Sequence, residues 1–323
     1  MWRSIAAALV LLLLLAVGII SAQEPGDEPS PDEGIIEQVR SVAFVEDDTL
    51  ATASINDPGA GGLGRLADLF RSFGASVRVL ALDAPVPPDV ELLVIVRPTR
   101  ALPVTQSAHL WEFLERGGHL LLALDPIGHN RVNTIRSNAG ISVLLEREYG
   151  LRLADDFLIE PWFSASTLSD VVTSWSTAYP EDFTPHPITA PLIEYDLPLR
   201  LWGARSLFVE AVTGSAITTP LISVETGYGE TGRINLNSDD PDQFQRNIGQ
   251  DTQGRLLLGA VSEHLHTGSR VALIGDSEMF LNIFGQTRII GNETLPRFPG
   301  NGIFTERLVS WLLGISEDDW PTL

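Results

Sequence analysis

Continuous apolar runs that alternate with helical segments constrain the fold of this chain more than any other feature. Residues 92–96 are all apolar, and residues 119–124 are apolar after His119, over lengths that suit strands buried on both faces. Between them, apolar side chains recur at helical spacing over 105–116. Because strand–helix–strand units build parallel sheets with helices packed on their faces, this pattern predicts an α/β fold with a mostly parallel sheet. The same alternation predicts strands at 41–45 and 76–80 and helices at 63–73 and 141–149.

Past residue 150 the pattern becomes β-rich, with many aromatic residues and prolines and no persistent helical period. A final helix is predicted over 302–313. The sequence therefore predicts an α/β domain over 41–315, with a β-rich, aromatic-rich insertion or second subdomain over about 151–240, and an acidic tail over 316–323. The strands predicted in this half are 206–212, 220–225, 233–236, 256–261 and 270–274.

The N-terminus carries an unbroken apolar run over 5–20, after a positive charge at Arg3. This length fits either a cleaved signal peptide, with a cleavage site after Ala22, or a retained membrane anchor. Residues 23–40 form an acidic, proline-rich linker that cannot bury enough apolar surface to fold. Either interpretation of 1–22 predicts an extracytoplasmic domain, which is anchored by the N-terminal helix or secreted after cleavage.

The absence of two residue types excludes several chemistries. The chain has no cysteine, and all 21 of its basic residues are arginines, so it has no lysine. Thiolate nucleophiles, disulfides, cysteine-ligated metals, Schiff-base lysines and phosphate loops that end in Gly-Lys-Ser/Thr are therefore excluded. A formal net charge of −21 argues against nucleic acid as a partner and against binding of the folded domain to anionic lipid. No cofactor is predicted.

Asp276 and Ser277 directly follow a predicted strand, in a Gly-Asp-Ser sequence that resembles GDS-type serine hydrolases. A serine nucleophile needs a histidine base and an acid, but no histidine follows His266. Two interpretations remain: a nucleophile, or a turn in which both side chains bond backbone groups. Asp125 ends another buried strand and is a ligand-contact candidate, since the carboxyl edge of such a sheet is the usual ligand crevice.

Two polar clusters are weak candidates for a metal site. His264 and His266 form an H-x-H pair whose rings would share one face of a strand, with a solvated turn as the alternative. Asp239, Asp240 and Asp242 lie in an acidic segment whose spacing differs from an EF-hand loop, which needs Gly at the sixth and Glu at the twelfth position. The alternative there is a polar turn.

Residues 57–64 are rich in glycine and precede a predicted helix. Small residues at a helix N-terminus can bind an anion. The spacing departs from G-x-G-x-x-G, and the alternative is a flexible loop before the helix.

Five segments in the same order resemble the GldG-like auxiliary subunits of ABC transport systems. They include a Gly-Gly strand segment that ends at Asp125, a His-Pro-Ile-Thr block that begins at His186, and a Gly-Asp-Ser block that contains Asp276 and Ser277 and ends at Asn282. The resemblance implies a class-I glutamine-amidotransferase-like or flavodoxin-like α/β fold without a catalytic cysteine. It carries over no catalytic residues. The five segments are 114–126, 144–156, 186–189, 270–282 and 301–312.

Two functional hypotheses follow from these observations. The first is a non-enzymatic extracytoplasmic domain, an auxiliary or binding component of an ABC-type transport system or related envelope assembly. Its partners would be the permease and ATPase subunits, and it would meet the membrane through its N-terminal segment alone. The alternative is an extracytoplasmic hydrolase, metal-assisted in one form. For the first hypothesis, the ligand or partner contact candidates are Asp125, His186, Asp276, Ser277 and Asn282.

Overall fold

A mixed sheet with helices on both faces organises the part of the chain that the computed structural model describes. This part comprises residues 40–48, 50, 52–126, 142–161, 172–173, 175–212, 214–231, 246–282, 287–290, 293–296 and 298–321. All of these residues belong to one compact unit. The predicted signal or anchor over 1–22, residues 23–39 of the predicted linker, and the predicted strand at 233–236 lie outside the described residues.

The elements follow in chain order. The helices are α1 (Gly64–Ser72), α2 (Val104–Glu115), α3 (Val143–Tyr149), α4 (Ala190–Glu194) and α5 (Pro299–Leu312). The strands are β1 (Ser41–Val45), β2 (Ser76–Leu80), β3 (Leu92–Val96), β4 (His119–Ala123), β5 (Leu151–Leu153), β6 (Phe157–Pro161), β7 (Val172–Thr173), β8 (Trp175–Ala178), β9 (Leu199–Trp202), β10 (Leu207–Val209), β11 (Ala216–Val224), β12 (Tyr228–Glu230), β13 (Leu256–His264), β14 (Arg270–Ile274), β15 (Thr287–Ile290) and β16 (Glu293–Pro296).

The main sheet joins a parallel part to an antiparallel part. Strands β2-β1-β3-β4-β14 are parallel, in the order of a flavodoxin-like doubly wound sheet. Strands β13, β10 and β5 continue the sheet in antiparallel pairings, and β11 also pairs with β13. The predicted α/β class, with a central sheet flanked by helices, is therefore confirmed. The predicted parallel strands are present, and the antiparallel strands beside them make the sheet a mixed one.

Alternation of side chains along the parallel strands builds two separate hydrophobic cores. In β1, Val42 and Phe44 face the core that contains α1 and α5, whereas Ala43 and Val45 face the core that contains α2 and α3. The same alternation continues through β3 and, after the first residue, through β4 and β14. These residues are all apolar because both faces of the sheet are buried. Burial on both faces leaves the strand ends as the place where polar side chains enter the structure.

The β-rich segment that was predicted as an insertion contributes to the main sheet. Its strands β5, β10 and β11 extend that sheet. The remaining described strands of this region form two small sheets, β12-β6-β7 and β8-β9. A separate subdomain stays a prediction, since part of the segment is continuous with the central sheet.

Strands β11 and β13 are longer than their sequence patterns predicted. Each was predicted from its apolar residues, but the pairing runs from Ala216 opposite His264 to Val224 opposite Leu256. The pairing shifts register beside Pro220, where the ring removes a backbone donor. Polar residues at the end of β13 are therefore strand residues, because the partner strand supplies their hydrogen bonds.

None of the helices in the described ranges combines the length and the apolar character that a membrane span requires.

Candidate functional site

The carboxyl ends of the parallel strands bring together most of the polar residues that the sequence singled out. Glu46, Arg97 and Asp125 follow β1, β3 and β4, and Gly275 follows β14. The strand order reverses between β1 and β3, and ligands of open α/β sheets bind outside the carboxyl ends at such a point. This edge is therefore the candidate site, and its geometry decides whether a ligand has room there.

Asp125 and Ser277 form a buried pair that joins β4 to β14. The backbone N–H of Ser277 donates to Asp125 Oδ1 at 2.6 Å, and its hydroxyl donates to Asp125 Oδ2 at 2.5 Å. Asp125 is buried, and Ser277 is 0% exposed. The Ser277 hydroxyl is thus bonded to a carboxylate and shielded from solvent, whereas the turn interpretation expected it to bond a backbone group.

Asp276 satisfies two backbone donors from different parts of the chain. Its Oδ2 accepts from the N–H of Trp202 at 2.9 Å, and its Oδ1 accepts from the N–H of Glu278 at 2.7 Å. Burial, and then the nearby Asp125 carboxylate, raise the pKa of Asp276 well above its ordinary value despite these two donors. Asp276 therefore ties β9 to the turn after β14.

Glu278 and Arg97 form the more open part of the edge. Glu278 Oε1 lies 3.7 Å from an Arg97 guanidinium nitrogen, and the Glu278 side chain is buried whereas Arg97 is partly exposed. Burial, and then Asp125, raise the pKa of Glu278 to about 7, against the lowering effect of Arg97. Arg97 itself has a left-handed backbone, with φ of 57°. A carboxyl that titrates near neutral pH therefore sits within this edge.

Asn282 holds the glycine-rich loop over 57–64 in place. Its Nδ2 donates to the carbonyls of Asp57 at 3.1 Å and Gly59 at 3.0 Å, and its Oδ1 accepts from the N–H of Arg65 at 2.9 Å. The last of these is a first-turn donor of α1, of the kind that an anion would otherwise accept. The sequence analysis considered an anion at this helix N-terminus. In the structure, the Asn282 amide oxygen accepts the hydrogen bond from Arg65 that such an anion would accept.

Close packing explains a glycine at position 62. The N–H of Asn282 donates to the Gly62 carbonyl at 2.9 Å. A Cβ at Gly62 would lie 1.8 Å from the Asp57 carbonyl oxygen and 2.9 Å from Asn282 Nδ2. Position 62 therefore accepts only a residue without a side chain, because the backbone of the loop approaches Asp57 and Asn282 so closely there.

Arg205 is a fully buried cation at the antiparallel side of this edge. Its Nε donates to the Ala154 carbonyl at 2.8 Å, and its guanidinium lies 3.3 Å from Asp155 Oδ1. The charge of Asp156 also faces Arg205, although burial lowers the pKa of Arg205 overall. The N–H of Arg205 donates to the Gly275 carbonyl at 2.8 Å, so this charge cluster is joined directly to the turn after β14.

The remaining predicted residues lie apart from these bonds. His186 accepts from the N–H of Ile188 at its Nδ1, at 3.2 Å, and its carbonyl accepts from Thr189 and Ala190 at the start of α4. Its ring lies 6.4 Å from that of Trp311, edge to face, and burial lowers its pKa. These contacts show that His186 stabilises the backbone turn that begins α4. Its role in ligand or partner contact stays a prediction.

The metal-site candidates fall in two places. His264 ends β13 and His266 lies in the following turn, with ring centroids 5.8 Å apart. His264 Nδ1 accepts from the N–H of Thr267 at 3.2 Å. No group of three or more His, Asp or Glu in the described ranges is arranged to hold a metal ion. Asp239, Asp240 and Asp242 lie outside those ranges.

Three charged residues of this edge were missed as site residues by the sequence analysis. Arg97 follows an apolar run in the same way as Asp125, and that shared position is the signal that could have found it. Glu278 is adjacent to the Asp276-Ser277 motif. Arg205 carried no comparable signal, because its burial depends on Ala154 and Gly275, which are distant in the sequence.

The fold and this edge define the class of the protein. It is an α/β domain in which Asp125, Asp276 and Asn282 accept backbone hydrogen bonds at the carboxyl edge of a flavodoxin-like strand order. The model of the family described as an ABC-type uncharacterized transport system matches residues 17–302. The chain belongs to this family, which is the auxiliary family that the sequence resemblance indicated.

Comparison with solved structures supports the fold alone. The "mmIFT52 N-terminal domain" is 14% identical, with a TM-score of 0.54 over 84% of this chain and 97% of that one. A putative ThuA-like protein from Parabacteroides merdae is 10% identical, with a TM-score of 0.37 over 85% and 90%. An exo-β-1,4-mannosidase from an Opitutaceae bacterium is 14% identical, with a TM-score of 0.32 over 75% and 32%. The last two scores are too low to carry an argument. A search of curated proteins finds no match.

Replacement of Asn282 tests whether its amide holds the glycine-rich loop. We expect Asn282→Ala to lower the free energy of unfolding by about 1–2 kcal/mol, since it removes three partly buried hydrogen bonds to the backbone. Asn282→Asp should be similarly destabilising, because a carboxylate cannot donate to the Asp57 and Gly59 carbonyls. Urea denaturation measures both, with Asn56→Ala, at an exposed asparagine just before the loop, as the control. A fully stable Asn282→Asp variant would contradict the assigned donor bonds.

The raised pKa of Glu278 predicts a pH dependence of stability. The pKa of Glu278 is 4.5 ordinarily and about 7 in the folded chain, so the folded chain holds this proton more tightly. The contribution of this proton to the free energy of unfolding is fully present below about pH 4.5 and is lost as the pH rises through about 7. Between about pH 4.5 and 8, Glu278→Gln should therefore lose less stability than the wild type, by an amount on the order of 1–3 kcal/mol.

Denaturant unfolding at a series of pH values measures this difference. The matched control is Glu112→Gln, at an exposed position of α2. The control should follow the wild-type profile. A Glu278→Gln profile parallel to that of the wild type would show that Glu278 titrates normally in the folded chain.

Proposed function

We propose that this protein is a non-enzymatic, extracytoplasmic auxiliary component of an ABC-type transport system, which acts by binding a partner protein. Membership of the auxiliary family supports the association with a transport system. The observation that carries the binding role is the closure of the carboxyl edge by Asn282, whose amide occupies the loop that would otherwise receive an anion.

The state of the polar groups at this edge supports a role other than catalysis. Asp125, Asp276 and Ser277 are buried and bonded to backbone groups or to each other. A catalytic nucleophile needs access to substrate and a base that removes its proton. The hydroxyl of Ser277 instead donates to a carboxylate at 2.5 Å and is 0% exposed. The buried, carboxylate-bonded Ser277 therefore gives the hydrolase alternative less support than family membership gives the auxiliary role.

The strand order and the lack of cysteine support a more specific proposal about the fold. The strand order of the parallel part agrees with a flavodoxin-like or class-I glutamine-amidotransferase-like domain. Catalysis in the amidotransferases requires a cysteine, and this chain has none. We propose that the domain keeps such an architecture without that chemistry, and that its surface serves for recognition.

The N-terminal sequence supports the extracytoplasmic location. A single positive charge precedes the apolar run over 5–20, and an acidic, proline-rich stretch follows it. This arrangement is typical of an export signal or anchor with a tether. A net charge of −21 would keep the folded domain away from anionic lipid and would favour contact with a partner that carries positive charge.

Affinity purification from native membranes tests the association. We expect the tagged full-length protein, extracted in mild detergent, to recover a permease and an ATPase in near-equal amounts, because an auxiliary subunit shares their assembly. Quantitative mass spectrometry measures the ratio, and an unrelated membrane protein with the same tag is the control. Recovery of the protein alone, or of the same proteins with the control, would contradict this assignment.

Cysteine labelling tests the location, since the chain has no cysteine of its own. We expect Ala84→Cys, at an exposed position, to react with a membrane-impermeant maleimide in cells stripped of their outer layers but with an intact plasma membrane. Ala123→Cys, at a buried position of β4, is the matched control and should react only after denaturation. Labelling of Ala84→Cys only after the plasma membrane is permeabilised would place the domain in the cytoplasm.

A further inference from the structure

A cavity of about 320 Å³ lies at the opposite edge of the parallel sheet from the closed site. Helix α2 ends there before it leads into β4, so the cavity is at the amino ends of the parallel strands. Its size falls at the lower end of the range for small-molecule sites. The lining residues that the following argument uses are Trp111, Glu115, Glu148, Tyr149, His264 and Thr267.

Two carboxylates give the lining of the cavity negative charge. Glu115 is the last residue of α2, and Glu148 lies in the last turn of α3. Both helices therefore direct the negative ends of their dipoles towards the lining, where an additional carboxylate is unfavourable. Glu148 and Glu115 both act to raise the pKa of Tyr149, after burial, which places both charges near that ring. A bound cation would relieve this repulsion.

Aromatic residues line the cavity together with the two carboxylates. The rings of Tyr149 and His264 lie 5.6 Å apart at an angle of 48°, and Trp111 is partly exposed. His264 Nδ1 accepts from the N–H of Thr267 at 3.2 Å, which fixes the orientation of the ring. The histidine therefore adds an aromatic surface to the lining of the cavity.

The arginines near the two helix ends leave room for an external cation. Arg116 donates to the Pro87 carbonyl at 2.8 Å and lies over the Phe113 ring, away from the lining residues. Arg147 pairs with Glu148 at 3.3 Å, but its side chain is 90% exposed, so solvent screens the pair and its contribution is small. Neither arginine lines the cavity itself.

We propose that this cavity binds an organic ammonium cation, held between Glu115 and Glu148 and against the ring of Trp111, the partly exposed aromatic residue of the lining. A quaternary ammonium group suits it, because such a group binds through aromatic faces and carboxylates without directed hydrogen bonds. A metal ion suits it less, since no group of three or more His, Asp or Glu in the described ranges is arranged to hold one. The site is independent of the proposed function, which rests on the other edge.

Calorimetric titration with choline tests the proposal, and its neutral carbon analogue, 3,3-dimethylbutan-1-ol, separates charge from shape. The full-length chain is kept in an uncharged maltoside detergent, because detergents with choline headgroups would compete. We expect choline to bind and the neutral analogue to bind at least tenfold more weakly. The double variant Glu115→Gln/Glu148→Gln should weaken choline binding at least tenfold, and Trp111→Leu should weaken it severalfold.

Glu112→Gln, on the same helix as Glu115 but outside the lining, is the matched control and should bind choline as the wild type does. A thermal melt of each variant verifies that it is folded before titration. Absence of choline binding by the wild type would overturn the proposal. Equal affinity for the neutral analogue would show that the cavity binds by apolar contact alone. Unchanged choline binding by the folded double variant would show that choline binds at another site. Either result also overturns the proposal.

Discussion

The burial of the parallel sheet on both faces is the constraint on which the rest of this structure depends. Strands covered by helices on each side must end in segments whose polar groups find partners within the protein. Asp125, Asp276 and Asn282 supply those partners, and each connects segments far apart in the chain. The segment after β14 therefore supplies hydrogen-bond partners to several segments at the carboxyl edge. Loss of one partner would leave the others in this network unsatisfied.

This network changes what the fold can do. In doubly wound sheets the same edge is the usual crevice for ligands. Here the amide of Asn282 bonds the first turn of α1, and the loop that approaches it has no room for a Cβ at Gly62. The chain belongs to an auxiliary family of a transport system. Together with the bonded polar groups of this edge, that membership directs attention to the cavity at the opposite edge, which carboxylates and aromatic rings line.

The secondary structure was largely predictable, whereas the pairing of the site was predictable only in part. Leu92–Val96 and Arg270–Ile274 were recognised from local apolar runs, and their bounds agree with the structure. Asp125 and Ser277 were each singled out, but their mutual bond depends on β4 and β14 being neighbours, which no local pattern encodes. Arg205 was missed for the same reason. His264 is a strand residue because β11 pairs with it, although its own sequence is polar.

The sequence by itself determined the α/β class, the positions of the main strands and helices, the excluded thiol and lysine chemistries, and the family. Periodicity, composition and motif order are local or additive properties, so they can be read without coordinates. Only the tertiary structure decided that Asn282 would fill the glycine-rich loop and that two helix ends would bring Glu115 and Glu148 to one cavity. Such contacts depend on distances between segments remote in sequence, and burial then sets the strength and the pKa of the groups that meet.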